Sequence, residues 1–287
     1  MSRLTVIAPA LVPLAGLVLS VAVYAARHAI GRPPVVEQIK SNELFGPRVS
    51  RWAYWTFRPF ERALLTSGIS PNAITTASLV ACIGAGVALA LGHLATGAWL
   101  YAAGGILDLL DGRVARALGR QSQAGALFDS VADRWAELAM FAGYAWWLRE
   151  TPWLMAVLGC SAGSMMVSYT RARAEGLGIA LRGGAMQRAE RIVLVIAGTM
   201  AAAILGAEAN TAAWAVPTAG GFLALCGVLS AATALRRWAD AYRALGEPRR
   251  RDSAARTPSP SPIDAAPAPV PPDEQHPPPS SLPTSLA

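Results

Sequence analysis

Charge is scarce in this chain: 15% of its 287 residues are Asp, Glu, Lys or Arg, against 53% hydrophobic. A soluble domain carries about a quarter charged residues, so water is the wrong solvent for most of this one. Mean hydropathy is +0.36, which points to lipid. Cysteine is equally thin. Cys82, Cys160 and Cys226 each stand alone in an apolar run, which excludes a disulfide framework and a zinc site. The three histidines, His28, His93 and His276, are scattered, leaving no material for zinc hydrolysis or a Ser/His/Asp triad. Lysine is all but missing, since of 25 basic residues only Lys40 is not an arginine.

What is abundant is apolar sequence in runs long enough to cross a bilayer, for which about 20 residues suffice. Seven runs are expected to span, near 5–26, 72–92, 95–112, 127–148, 152–170, 191–207 and 212–235. The arginines fall between them, so the net charge of +7 reads as a topology signal and not as a nucleic-acid footprint. With 27–71, 113–126, 171–190 and 236–287 inside, only Arg3 and Arg149 lie outside, and Arg134 sits near an inner end. That is the positive-inside pattern, with the N-terminus outside and the C-terminus in the cytoplasm.

The expected fold is therefore an all-α integral membrane protein of six core spans plus an additional N-terminal span. Residues 1–44 form an anchor and cytoplasmic linker, 45–246 the membrane domain, and 247–287 a tail. Val23-Tyr24-Ala25 resembles a cleavage site, but the basic stretch from Arg27 to Arg62 would then be exported, which favours an uncleaved anchor. Trp52, Trp55, Phe57 and Phe60 interleave with Arg51, Arg58 and Arg62, the composition of an amphipathic helix lying in the headgroup layer. Ser70-Pro71 opens a span, with proline where its missing N–H is no loss. Gly159 and Gly163 suit close helix packing. The Pro/Ser/Ala-rich tail cannot bury a core and is expected to be disordered, with Arg249, Arg250 and Arg251 near anionic lipid.

Acids are nearly absent from the spans, except where Asp108, Asp111, Asp129, Asp133 and Glu137 gather around 113–126. One Asp at a helix centre costs about 2.5–3.5 kcal/mol, so several together are not filler. Asp108 and Asp111 are three apart, and Asp129 and Asp133 four apart, which places each pair on one helix face. Two consecutive antiparallel spans bring the four carboxylates together at their inner ends. An all-oxygen cluster suits a hard divalent cation, Mg²⁺ or Mn²⁺.

Asp108-Leu-Leu-Asp111-Gly112-Arg-Val-Ala115-Arg116, eight residues, Gly125-Ala-Leu-Phe-Asp129-Ser-Val-Ala-Asp133 is the pattern DxxDGxxARx8GxxxDxxxD. Eight fixed residues would coincide by chance on the order of once in 10⁷ chains. The stretch resembles the signature of the CDP-alcohol phosphotransferase family, and the resemblance runs over about 45–240. It implies an enzyme moving a phosphatidyl group from CDP-diacylglycerol to a small alcohol, with CMP released and with Mg²⁺ or Mn²⁺ as cofactor. By the same resemblance Asp108, Asp111 and Asp129 are metal ligands on the pyrophosphate, and Asp133 is a further ligand or the general base. Gly112 would let the nucleotide approach the backbone, Ala115 would keep the helix face shallow, and Arg116 would neutralise phosphate oxygens. With Gly125, these residues and the Asp pair Asp108 and Asp111 form the expected CDP-lipid set. Ser70-Pro71-Asn72-Ala-Ile-Thr75 resembles the family's span opening, which adds Asn72 and Thr75 near the cytidine.

Ser168-Tyr-Thr-Arg171-Ala-Arg173-Ala-Glu175 and Gln187-Arg188-Ala-Glu190-Arg191 are similar to the branch making phosphatidylinositol phosphate or archaetidylinositol phosphate. That similarity implies an acceptor phosphate gripped by Arg171, Arg191 and Arg237. Gln187, Ala189 and Arg171 depart from that branch, where Glu, Pro and Lys are common. Inositol 1-phosphate is the expected acceptor, and glycerol 3-phosphate, also anionic, is the alternative. A transporter would show repeat halves with broken spans, which are not seen, and a silent scaffold would have no need of all eight fixed residues. The expected partners are CDP-diacylglycerol, a phosphorylated alcohol, membrane lipids and a second copy of the chain, with no nucleic acid. The expected place is the cell (inner) membrane, with the site facing the cytoplasm.

Overall fold

The computed structural model describes residues 3–30, 46–181, 183–184 and 186–246, with the side chains of 3–14, 17 and 47 excepted. Among these residues there are eight α-helices and no strand. They are α1 Arg3–Ala29, α2 Gly46–Ser67, α3 Pro71–Ala90, α4 Leu94–Ala117, α5 Gln123–Trp147, α6 Leu154–Gly176, α7 Arg188–Gly206 and α8 Ala215–Gly246, the last preceded by a 3₁₀ turn at Ala212–Trp214. Pro71–Ala90, Arg188–Gly206 and Ala212–Gly246 are long and apolar enough to cross a membrane by length and composition. The chain is accordingly a membrane protein, all-helical over the described residues. The expected tail 247–287 and the linker part 31–45 lie outside the described residues.

Start signals behave as their chemistry dictates. Ser70 caps α3 by accepting from the Ala73 N–H at 3.3 Å, with Pro71 in the first turn. Ser122 caps α5 by accepting from the Gly125 N–H at 3.0 Å. The helices outrun the apolar stretches that mark them in the sequence. Helix α4 continues to Ala117 and α5 starts at Gln123, so the connection expected over 113–126 shortens to 118–122. The added turns carry Arg113, Arg116 and Gly125, at the end of the bundle where the motif acids gather.

Helix α3 packs on α4 and α5, α6 on α8, and α7 on both α4 and α8, while α2 lies against α4. Small residues set the closest approaches, as expected where lipid offers no hydrophobic drive and packing must do the work. A Cβ at Gly86 would collide with the Ala139 backbone, and one at Gly143 with the Gly86 backbone, so α3 and α5 touch main chain to main chain. Gly163 likewise meets Gly227 O, at 3.0 Å from an added Cβ, where α6 crosses α8; Gly159 faces open space on its own Cβ side, and the close approach there is made by Gly227. Buried Tyr144 and Thr199 share a hydrogen bond between α5 and α7, and the Thr199 hydroxyl is also within reach of Val195 O at 2.6 Å.

Helix α2 is joined to its neighbours by polar contacts. Glu61 pairs with Arg113 of α4 at 2.5 Å, and the Arg113 guanidinium lies 4.6 Å from the Tyr54 ring centroid, a cation–π contact. Trp52 Nε1 donates to Ser20 Oγ of α1 at 3.2 Å.

Candidate active site

The acids of the motif come from α4 and α5, both of which pack on α3. Asp108, Asp111 and Asp129 each offer a carboxylate oxygen, and the three oxygens lie within 4.8 Å of one another. Asp111 is buried and receives the Thr75 hydroxyl of α3 at 2.5 Å, whereas Asp108 and Asp129 are half-buried. Asp129 Oδ1 is buried and accepts no hydrogen bond from any described residue. A buried carboxylate oxygen with no donor is costly, and a cation would satisfy it. Octahedral ligands at about 2.1 Å from Mg²⁺ stand up to roughly 4.2 Å apart, so three oxygens this close fit such an ion after a small contraction. Thiolate and imidazole are missing from the set, which suits a hard cation.

Asp133 is not one of the three, though its carboxyl adjoins that of Asp108. Its Oδ1 lies 2.5 Å from Arg188 Nη1, and the same nitrogen pairs with Asp108 Oδ2, so Arg188 bridges α4 and α5 from the first turn of α7. Arg134 approaches Asp133 Oδ2 at 3.5 Å. Glu137, one turn further along α5, is fully buried against Arg191 at 2.6 and 3.0 Å and takes no part in the trio.

The residues expected to hold the CDP-lipid lie on α3, α4 and α5, the helices that carry the trio and its Thr75 contact. Thr75 is bound to Asp111, and Asn72 lies one turn earlier on α3, its Oδ1 3.5 Å from where a Gly125 Cβ would be. The starts of α3 and α5 therefore adjoin at Asn72 and Gly125. Arg116 is exposed and folds back along α4, with Nη1 3.4 Å from where a Gly112 Cβ would stand. Ala115 is half-buried on the same helix.

The three arginines expected to grip acceptor phosphate are not brought to one surface. Arg171 is exposed and pairs with Glu175 at 2.8 Å. Arg191 is 2% exposed and, besides Glu137, donates to Met186 O at 3.0 Å. Arg237 is buried and donates to Gly183 O at 2.7 Å and Val167 O at 3.1 Å. Arg191 and Arg237 thus both fasten the connection between α6 and α7 by its carbonyls. Arg188 carries no role in the sequence reading. The signal was available in principle, because Arg188 and Arg191 are three apart and share a face of the first turn of an otherwise apolar helix.

With that geometry in place, the comparisons decide the family. The model of the CDP-alcohol phosphatidyltransferase family matches residues 68–235, more than half of the chain. The chain belongs to this family. Phosphatidylinositol phosphate synthase of Mycobacteroides abscessus is 36% identical over 171 residues, covering 56% of this chain and 76% of that protein. Archaetidylinositol phosphate synthase of Methanothermobacter thermautotrophicus is 44% identical over 126 residues, covering 44% of this chain and 63% of that one. Among solved structures, Mycobacterium tuberculosis phosphatidylinositol phosphate synthase with CDP-DAG bound superposes with a TM-score of 0.56 at 30% identity, covering 64% of this chain and 92% of the other. Its complex with manganese and citrate gives 0.57 at 29%, covering 64% and 88%. This CDP-alcohol phosphatidyltransferase is an enzyme of phospholipid biosynthesis, and its acidic cluster together with the relative's manganese complex supports divalent-metal use.

Proposed function

We propose that this CDP-alcohol phosphatidyltransferase transfers the phosphatidyl group of CDP-diacylglycerol to the hydroxyl of inositol 1-phosphate and releases CMP. The observation that carries the reading is the gathering of the four motif acids, a cation-sized trio with a fourth carboxylate, Asp133, beside it. In support, two of its relatives are a phosphatidylinositol phosphate synthase and an archaetidylinositol phosphate synthase.

Asp108, Asp111 and Asp129 would hold the metal, Mg²⁺ by preference; when bound it supplies charge neutralisation at the pyrophosphate. Asn72, Thr75, Gly112, Ala115, Arg116 and Gly125 would seat the nucleotide half of the lipid. Asp133 takes the proton of the acceptor hydroxyl as its oxygen bonds to the lipid-side phosphorus. The bond from that phosphorus to the CMP oxygen breaks, and CMP keeps the electron pair. Arg171, Arg191 and Arg237 would serve the acceptor phosphate. Arg171 stands ready in the exposed layer, whereas Arg191 and Arg237 would share donors now given to Glu137 and to loop carbonyls.

The architecture that goes with this reading is a six-span core of α3–α8, an N-terminal span α1, and α2 in the headgroup layer, with domains at 1–44, 45–246 and 247–287. The site would face the cytoplasm from the inner membrane, in a homodimer. Purified enzyme given radiolabelled CDP-diacylglycerol and Mg²⁺, with inositol 1-phosphate, glycerol 3-phosphate, inositol and serine in parallel, is expected to form labelled product with the first. Product with glycerol 3-phosphate alone would transfer the assignment to that acceptor, and no CMP release with any would overturn the reaction.

A further inference from the structure

Helices α6 and α8 leave a groove of about 600 Å³ between them, lined from within the stretches 159–177 and 231–245. Buried small residues, Gly163, Ala174 and Ala241 among them, line it together with exposed Tyr169, Trp238 and Tyr242. The Trp238 and Tyr242 rings stand 6.5 Å apart, one turn from each other on α8. Arg173 is the one charged residue of the lining. Its side chain is exposed and makes no hydrogen bond or ion pair among the described residues. The acids near the C-terminal ends of these two helices are engaged elsewhere, Glu175 with Arg171 and Asp240 with Arg236 and Arg243, and neither lines the groove.

This groove is separate from the acidic site. No residue of α3, α4, α5 or α7 lines it, so the trio and the residues around it lie outside. Arg171 and Arg173 are two apart, which puts them about 200° from each other around the α6 axis. Arg173 therefore faces away from the side on which Arg171 stands.

We propose that the groove is a binding site for one anionic phospholipid, with the lipid phosphate on Arg173 and one acyl chain laid between α6 and α8.

The dimensions and the chemistry of the groove agree on this occupant. From Arg173 back to Gly163 is ten residues, about 15 Å along a helix, which is the hydrocarbon depth of one leaflet. A chain that starts from a phosphate at Arg173 thus ends where α6 crosses α8, since an added Cβ at Gly163 already stands 3.0 Å from Gly227 O. Tyrosine and tryptophan in the same lining are the residue types favoured at headgroup level. The surrounding hydrocarbon is as apolar as the groove, so burial of the chain gives little preference by itself. Selectivity resides in Arg173. A guanidinium with no protein partner and no acid in the lining suits a phosphate, to which its planar fork donates two hydrogen bonds. A basic pocket between spanning helices is a physical basis for headgroup recognition. A lipid seated there touches both helices and joins them, so its binding raises the stability of the pair.

The test uses full-length enzyme in detergent with EDTA and no CDP-lipid. It is given phosphatidylglycerol, phosphatidylcholine with the same chains, or inorganic phosphate; native mass spectrometry counts bound lipid, and melting is read alongside. One phosphatidylglycerol per chain is expected to be retained, about tenfold more tightly than phosphatidylcholine, with a raised melting temperature that inorganic phosphate does not reproduce. Arg173→Gln is expected to bring the two lipids within about threefold of each other, and Arg173→Lys to keep most of the preference. Ala231→Phe, at an exposed position of the lining, fills the groove and is expected to remove both lipids. Arg116→Ala should leave the preference as it is. Equal retention of the two lipids, a preference that survives Arg173→Gln, or equal protection by inorganic phosphate would overturn the proposal. Loss of the preference in Arg116→Ala but not in Arg173→Gln would move the lipid to the donor seat and overturn it too. A changed oligomeric state in Ala231→Phe would assign the groove to a contact between copies of the chain, again against the proposal. If Ala231→Phe does not fold, the lipid preference of Arg173→Gln against that of Arg173→Lys decides alone.

Discussion

The Thr75 hydroxyl of α3 donates to Asp111 Oδ2 of α4 at 2.5 Å, in a buried contact between residues 36 apart in sequence. The bond fixes which Asp111 oxygen is left for a cation. Thr75→Val keeps the shape and removes the donor. Its expected effect is a weakening of Mn²⁺ and CDP-lipid binding by about 1–3 kcal/mol, read by titration, with little change in acceptor KM. Thr75→Ser should retain most of the parental affinity.

Asp133→Asn is expected to abolish CMP release while CDP-diacylglycerol still binds, since a base is needed only for attack. Lipid binding measured by scintillation proximity, beside a single-turnover assay, separates the two. Near-parental turnover would remove Asp133 from the base role.

Arg191 and Glu137 form a buried pair, and breaking one partner of such a pair costs about 3–5 kcal/mol. Arg191→Ala should therefore show first as a fall in melting temperature, before any acceptor effect is read. Arg191→Met combined with Glu137→Met, which removes both charges, is expected to recover much of the stability. If acceptor KM stays raised in that stable double variant, Arg191 also serves the acceptor phosphate.

Arg171 offers the cleaner acceptor test because it is exposed and its partner Glu175 is exposed too. Arg171→Ala is expected to raise the KM for inositol 1-phosphate about tenfold, as loss of one charge-assisted contact would. The KM for CDP-diacylglycerol should hold steady, whereas Arg116→Ala should move that value and leave the acceptor alone.

Chelation supplies the remaining prediction. Excess EDTA should stop turnover, with Mg²⁺ or Mn²⁺ restoring it and Ca²⁺ doing so poorly, because the trio is compact and Ca²⁺ asks for more ligands at longer distances. Equal recovery with Ca²⁺ would count against a small octahedral ion.

The acidic trio was legible in the sequence because helical spacing alone stacks Asp108 on Asp111, and the motif brings Asp129 to them. Helix ends were not legible from hydropathy. The turns bearing Arg113, Arg116 and Gly125 are polar for the site's sake, so they look like connection while remaining helix. For the same reason α4, α5 and α6 fall outside the set that length and apolar composition mark as able to cross. The partners of Arg191 and Arg237 were out of reach for a different reason. Both arginines bond to carbonyls or a carboxylate set by tertiary packing, and no spacing rule names Glu137 as the partner of Arg191 across 54 residues. Charge counting alone reads such arginines as inside markers or phosphate hooks.

The bare main-chain contact of Gly86 with Ala139 and Gly143 has a bearing on motion. Where two helices meet through side chains, rotamer changes let one slide over the other; here there is no such cushion, so α3 and α5 shift only as a single beam. That beam carries Asn72 and Thr75 at one place and Gly125, Asp129 and Asp133 at another. The residues proposed for the nucleotide seat and for proton acceptance would therefore travel together and keep their spacing. Any opening for substrate would then fall to parts outside the beam such as the 118–122 turn, where a cross-link should slow turnover without disturbing the assembled acids.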